Sequence, residues 1–258
     1  MNKIPAITGW VWLKEGVALF RKQPAALTTL LFANIVFIAL LGMLPVVNVL
    51  RAVLFPSVSI AYMMACLMIE NGERVTPGVL LTGFRKPSLL PLCKIGLIYL
   101  VVFLLLTLLL NVAVDPAVFE MAAQADPKSP PPPGSLGGSL VLLCILGLNA
   151  GVLIALAFAA PLTYWQHMKL GKAVFYSFFA VVKNARVFIV LLMSWAGILM
   201  GVWMVLMLLL GNGKAGMVAM IWTGFLFMAL LQCALYASYR HIFGKPAAAT
   251  AKPVDLSK

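Results

Sequence analysis

The chain has 258 residues, of which 63% are hydrophobic and only 10% are charged, and its formal net charge at pH 7 is +12. A soluble domain of this length needs more charge to cover its surface, so the composition excludes an ordinary soluble protein and favours one that faces lipid. The basic residues occur in small clusters between apolar blocks rather than along one stripe, which favours a membrane surface over nucleic acid as the partner.

The N-terminal segment predicts a short amphipathic helix. Leu13, Val17 and Phe20 recur at positions i, i+4 and i+7, and they therefore share one helix face. The stretch ends in two basic residues, Arg21 and Lys22, and the following Gln-Pro breaks the helix before a long apolar block. We expect this helix to lie in the membrane interface, with its apolar face on acyl chains and its basic residues on anionic head groups.

Six blocks without a charged residue follow along the chain, and each can supply the roughly 20 apolar residues that cross about 30 Å of hydrocarbon. The blocks are rich in Leu, Ala and Met and lack the period-two alternation of membrane strands. We therefore predict an all-α polytopic membrane helical bundle that forms a single integral membrane domain over residues 1–244. The predicted spans cover about residues 25–46, 50–69, 89–113, 138–166, 187–210 and 215–240.

Two later segments are similar to the N-terminal one. Residues 80–87 end in Phe-Arg-Lys-Pro before a span, and residues 177–186 end in a near-pair of basic residues before another. The similarity predicts three repeats of an interfacial amphipathic helix and a transmembrane hairpin, with the basic residues at one depth. The alternative is that basic residues precede spans in any polytopic protein. The candidate lipid head-group sites are Arg21, Lys22, Arg85, Lys86, Lys183 and Arg186.

The distribution of basic residues predicts the orientation. With six spans, 16 of the 19 Lys and Arg residues fall on the side of the N-terminus, and only Arg51, Lys128 and Lys214 fall on the other. This bias predicts both termini in the cytoplasm, with residues 245–258 as a flexible tail. The outer loop at about 115–136 contains four consecutive prolines and predicts a stiff polyproline spacer, with a ligand for a proline-binding domain as the alternative.

The sequence contains no recognisable reactive site. Neither of the two histidines, His167 and His241, belongs to an H-E-x-x-H pair, and the four cysteines lie in apolar segments without C-x-x-C spacing. No G-x-S-x-G or phosphate-loop motif is present. We therefore expect no catalytic residue, no metal and no cofactor.

Polar side chains inside the predicted spans leave two functions open. Asn34, Asn149 and Gln232 are either bonded across helices as structural contacts or arranged along a substrate path. Lys94 lies about six residues into the third span, within snorkelling reach of the interface. The first hypothesis is a non-catalytic protein that organises or binds anionic lipid, other membrane proteins or a second copy of itself. The alternative is a transporter or lipid-handling protein with an uncharged polar cavity.

Two stretches carry a resemblance to a known family. The first is Gly9-Trp10-x-Trp12-x3-Gly16-x2-Leu19-Phe20-Arg21-Lys22-Gln23-Pro24, and the second is Ala160-Pro161-Leu162-x-Tyr164-Trp165-Gln166-His167 followed by Lys172-Ala173-x-Phe175-x-Ser177 and Lys183-Asn184. Both resemble signatures of a family of uncharacterised multi-spanning inner-membrane proteins of proteobacteria. The resemblance implies a helical bundle in the bacterial inner membrane and carries no established activity.

Overall fold

The computed structural model describes residues 4–42, 47–113, 147–148, 151–211 and 213–246. The regular structure within these ranges is entirely helical, which confirms the all-α prediction. The α-helices are α1 (Thr8–Lys22), α2 (Pro24–Gly42), α3 (Val47–Glu70), α4 (Leu89–Ala113), α5 (Ala159–Gln166), α6 (Leu170–Lys183), α7 (Ala185–Leu210) and α8 (Lys214–Phe243), and a 3-10 helix covers Pro77–Phe84.

Four helices in the described ranges are long and apolar enough to cross a membrane: Val53–Glu70, Leu89–Leu109, Ala185–Leu210 and Lys214–Phe243. They correspond to the second, third, fifth and sixth predicted spans. The first and fourth predicted spans correspond to shorter apolar helices, Pro24–Phe37 and Gly151–Gln166. Parts of these two spans lie outside the described residues, as do the proline-rich outer loop and residues 247–258.

The central helix of the bundle is α3. Two thirds (67%) of its apolar segment are buried inside the protein, against 17% for the apolar segment of α4. Its closest polar contacts are with α8, where the Tyr62 hydroxyl donates a hydrogen bond to the Ala229 carbonyl at 3.3 Å. The free thiols of Cys66 and Cys233 lie 3.8 Å apart in the same contact and are buried. These cysteines therefore fill small spaces in the core, as expected from their apolar surroundings.

Helix α6 is fixed to the chain just before α5. The helical turns 151–156 break at residues 157–158, which leaves backbone groups without helical partners. The buried Ser177 hydroxyl supplies those partners: it donates to the Ala155 carbonyl at 2.6 Å and accepts from the Phe158 N–H at 3.1 Å. The serine thus joins α6 to the break through two hydrogen bonds.

The three amphipathic segments predicted from the sequence do not share one structure. The first is α1 and the third is α6, but the second is a short 3-10 helix that begins at Pro77. This 3-10 helix packs on α3 so closely that a Cβ atom on Gly83 would lie 2.1 Å from the Ser57 carbonyl oxygen. The second segment is therefore a correction to the sequence analysis: it is a tight connection against α3, not an amphipathic α-helix.

Candidate functional site

Helix α1 docks onto α7 and α8 through two glycines one heptad apart. A Cβ atom on Gly9 would lie 2.3 Å from the Val187 carbonyl oxygen, and one on Gly16 would lie 2.7 Å from the Ala234 nitrogen. Between them Trp12 is fully buried, with its ring centroid 5.3 Å from that of Phe188. The expectation that the apolar face of α1 contacts acyl chains is wrong, because Leu13 of that face is buried in the core and Phe20 packs against buried core residues.

An ion-pair cluster ties α1 to α3 and α8. The Arg240 guanidinium donates to Glu15 Oε2 and to Glu70 Oε1, both at 2.7 Å, so one cation links two carboxylates on different helices. The Tyr236 hydroxyl donates to the other oxygen of Glu70 at 2.5 Å, and Lys245 Nζ lies 4.0 Å from that carboxylate. Sequence analysis missed this cluster because its bonded residues are distant in sequence, with 225 positions between Glu15 and Arg240. Because the two carboxylates and the arginine lie on three different helices, their charge-assisted hydrogen bonds hold these helices together.

The six candidate lipid-binding residues all lie between a short helix and the apolar helix that follows it. Helix α1 ends at Lys22, the chain leaves helical geometry at Gln23, and α2 begins at Pro24. Arg85 and Lys86 lie between the 3-10 helix and α4, and Lys183 and Arg186 lie on either side of Asn184, between α6 and α7. All six residues are exposed. We call these three places the basic junctions.

The first two basic junctions lie at different positions along α3. The Gln23 amide donates to the Glu73 carbonyl at 2.7 Å and accepts from the Val75 N–H at 3.1 Å, so the first junction lies beyond the C-terminal end of α3. The second junction follows Gly83, which packs on Ser57. At about 1.5 Å per residue, Ser57 is about 20 Å along the helix axis from the last residue of α3. Along this helix, the structure therefore does not support the expected common depth.

Two cavities lie side by side between the start of α4 and the turn from α5 to α6, and we call them the junction cavities. The first has a volume of about 180 Å³ and is lined by Pro87, Ser88, Pro91, Thr163, Tyr164, His167 and Met168. The second has a volume of about 280 Å³ and is lined by Leu90, Pro91, Lys94, Thr163, Met168, Lys169 and Leu170. Three residues line both cavities and form their shared wall: Pro91, Thr163 and Met168.

The polar residues singled out inside the predicted spans do not line these cavities. Asn34 is buried in α2, and Gln232 is half-buried in α8. Asn149 lies outside the described residues. The second junction cavity is lined by Lys94 and Lys169 instead, so it is basic rather than uncharged. The sequence indicated Lys94 as a charge about six residues into the third predicted span, whereas nothing in the sequence pattern placed Lys169 beside it.

The turn that brings Lys169 to the cavity has a residue in the left-handed conformation. His167 ends α5 with φ 49° and ψ 32°, and its N–H donates to the Leu162 carbonyl. Glycine or asparagine usually occupies this position because other side chains are disfavoured there. The left-handed residue reverses the chain after one turn, so α6 begins at Leu170 beside the start of α4.

Long apolar helices around a buried central helix, joined by exposed basic junctions, define a polytopic α-helical membrane protein. The chain is 30% identical over 253 residues to a probable inner membrane protein of Burkholderia thailandensis, and the match covers 94% of this chain and 93% of that protein. It belongs to this family of inner-membrane proteins, which confirms the family resemblance found in the sequence. No protein-family model matches the chain, and no solved structure is significantly similar to it.

Proposed function

We propose that the protein is a non-catalytic inner-membrane protein with six spans and both termini in the cytoplasm, which binds anionic phospholipid and organises lipid and partner proteins around it. The observation that carries this proposal is the set of basic junctions. Each places two exposed basic residues between a short helix and the apolar helix that follows it. Near an anionic leaflet, each such residue contributes about 1 kcal/mol of attraction.

The geometry of the junctions refines the proposal. The contact that precedes the second junction, between Gly83 and Ser57, lies about 20 Å along α3 from the last residue of that helix, whereas the field of an anionic surface extends only about 8–10 Å at physiological ionic strength. We therefore expect one head-group layer to attract the two junctions unequally. We propose that the three junctions contribute unequally to lipid binding.

Lipid retention tests the lipid-binding part of the proposal. The double variants R21Q/K22Q, R85Q/K86Q and K183Q/R186Q are purified in mild detergent, and the co-purified phosphatidylglycerol is quantified. We expect at least one double variant to lose about half or more of this lipid, and the loss to shrink at high salt because the attraction is screened. The control is K214Q, at the start of α8 on the proposed outer side. Wild-type lipid content in all three double variants would contradict the proposal.

Reporter fusions test the six spans and the orientation. Fusions after Lys86, Lys183 and Lys258 should report the cytoplasm, and fusions near Pro132 and Asn212 should report the outside, because the basic residues retain their segments on the inner side. The measurement is the paired activity of one reporter that works only inside and one that works only outside. An outside signal at Lys258 would remove the six-span topology.

A further inference from the structure

We propose that helix α6 inserts its exposed aromatic side chains among the acyl chains of an anionic leaflet, and that this contact makes α6 and the third basic junction the main phospholipid-binding element of the protein. The inference rests on the proposed lipid-binding function and deepens it, because it assigns the unequal lipid binding of the three junctions to one of them. It commits the exposed face of α6 to lipid as its occupant.

The first observation is the outer face of α6. Five large apolar side chains of this 14-residue helix are 43–58% exposed: Phe175, Tyr176, Phe178, Phe179 and Val182. We call these five residues the aromatic face. Its rings form one continuous surface, with centroid separations of 4.3 Å between Phe175 and Phe179 and 5.6 Å between Phe178 and Phe179. A contiguous exposed apolar surface of this kind marks a contact with a membrane or with another protein.

The second observation is the basic edge of the aromatic face. Lys172, Tyr176 and Lys183 recur at positions i, i+4 and i+11, so they follow one side of that face. The ammonium group of Lys172 lies 5.8 Å from the centre of the Tyr176 ring. A tyrosine flanked by lysines suits the boundary between acyl chains and head groups, because each of these side chains has an apolar body and a polar tip. Residues 169–186 contain four basic residues and no acidic one, so their charge complements an anionic leaflet.

The third observation is the length and anchoring of α6. Its 14 residues extend about 21 Å at 1.5 Å per residue, whereas a span needs about 20 residues. Its buried side includes the small residues Ala173, Ser177 and Ala180, and Ser177 holds it to the break before α5. The helix therefore keeps one side toward the protein and the aromatic face away from it. An anionic leaflet offers acyl chains to the rings and phosphate groups to the lysines beside them, so it is the occupant that fits the whole face.

The segments before the other two junctions lack such a surface. In α1, Val11 is the one exposed large apolar side chain, since Trp12, Leu13 and Leu19 are buried. In the 3-10 helix, Leu81 is the one exposed large apolar side chain. The third junction therefore combines exposed basic residues with an exposed apolar face. Basic residues attract a leaflet through a field that salt screens, whereas inserted aromatic side chains add a contact that does not depend on charge.

Photo-crosslinking tests the insertion. The full-length protein is reconstituted into vesicles of equal parts phosphatidylethanolamine and phosphatidylglycerol, with some of the phosphatidylglycerol carrying a diazirine in an acyl chain, and mass spectrometry locates the crosslinked residues. We expect crosslinks on the aromatic face and on Met204, a 63% exposed residue of the apolar helix α7, and none on the buried Trp12. Crosslinks on Met204 without any on α6 would overturn the inference, and the aromatic face would then suit a protein partner.

Lipid retention in detergent tests the contribution to binding. F175S/F179S removes two exposed rings, and the matched variant F175L/F179L keeps apolar side chains at the same positions. We expect the serine variant to retain about 5-fold less phosphatidylglycerol than the wild type, a ratio that should persist at high salt because the lost contact is apolar. The leucine variant should stay within about 2-fold of the wild type, since it keeps most of the apolar area. Both rings are more than half exposed, so neither variant should change the thermal unfolding of the delipidated protein.

The variants of the basic junctions complete the test, because K183Q/R186Q should lose more lipid than R21Q/K22Q or R85Q/K86Q. Wild-type retention in F175S/F179S, or an equal loss in F175L/F179L, would overturn the inference. The two proposals fail separately. A larger loss in R21Q/K22Q or R85Q/K86Q than in K183Q/R186Q would overturn this inference and leave the proposed function in place. Lipid loss in F175S/F179S with wild-type retention in all three basic double variants would refute the basic junctions and leave α6 as the lipid-binding element.

Discussion

Helices α1 and α6 have the same sequence pattern and opposite surroundings. Each is short and amphipathic, ends in a basic residue and leads into a long apolar helix. Helix α1 buries its large apolar side chains, Trp12 and Leu19 among them, against the rest of the protein. Helix α6 leaves its large side chains exposed and buries small ones, with Phe175 and Phe179 stacked on its outer surface at a centroid separation of 4.3 Å.

Small residues account for the difference. Gly9 and Gly16 lie on the apolar face of α1 and let its backbone approach α7 and α8 closely, so the large residues beside them enter the core. On α6 the small residues Ala173, Ser177 and Ala180 form the buried face themselves. An amphipathic pattern therefore shows that a helix has an apolar face, while the position of its small residues decides whether that face meets protein or lipid.

The same substitution in both helices gives the largest expected contrast. Gly16→Ala places a Cβ atom 2.7 Å from the Ala234 nitrogen, a backbone atom that cannot move alone, so the free energy of unfolding should fall by about 1–3 kcal/mol. Gly171→Ala, in α6, meets no atom within 4 Å and should change it by less than about 1 kcal/mol, in the stabilising direction. Unfolding in detergent measures both. Equal effects would show that α1 is not docked as described.

Breaking the ion-pair cluster that links α1 to α3 and α8 should lower the free energy of unfolding by less than the change in Gly16 does. Arg240→Gln leaves Glu15 and Glu70 without their shared cation, and since these side chains are partly exposed, the loss should be about 1–2 kcal/mol. Arg186→Gln, at the junction that follows α6, should change the free energy of unfolding by about 0.5 kcal/mol or less. Hydrogen exchange sharpens the comparison: in the Arg240 variant, the amides of α1 should exchange faster and those of α6 should not. Faster amide exchange in both α1 and α6 would indicate that the substitution destabilises the whole protein and does not act on α1 alone.

The helices were the part of the fold that the sequence predicted well. The long apolar blocks correspond to α3, α4, α7 and α8, because a helix satisfies its own backbone hydrogen bonds in hydrocarbon. The second amphipathic segment was misread, since a run of apolar residues beside Arg85 and Lys86 looks the same whether it forms an α-helix or packs as a 3-10 helix on α3. The close contact between Gly83 and Ser57 distinguishes the packed 3-10 helix from an amphipathic α-helix, and this contact depends on tertiary structure.

The candidate site was less predictable than the fold. The sequence indicated Lys94 as unusual, but its neighbours in the cavity, Thr163 and Lys169, are about 70 positions away and belong to different elements. The sequence analysis did not single out Glu15 and Glu70, although an acidic residue within an amphipathic helix was a signal that α1 has a protein partner. Contacts between distant segments leave no local pattern, because nothing in the spacing of residues records which helix faces which.

The contact between α1 and α8 joins the first and last helices of the described residues, with 225 positions between Glu15 and Arg240. At a synthesis rate of about 5–20 residues per second, Arg240 is made about 11–45 s after Glu15. During that interval Trp12 and its neighbours have no α8 to pack against. An amphipathic helix that ends in Arg21 and Lys22 suits the membrane surface at that stage. We therefore expect α1 to lie at the membrane surface until α8 is synthesised, after which the contact between Glu15 and Arg240 brings together segments 225 positions apart.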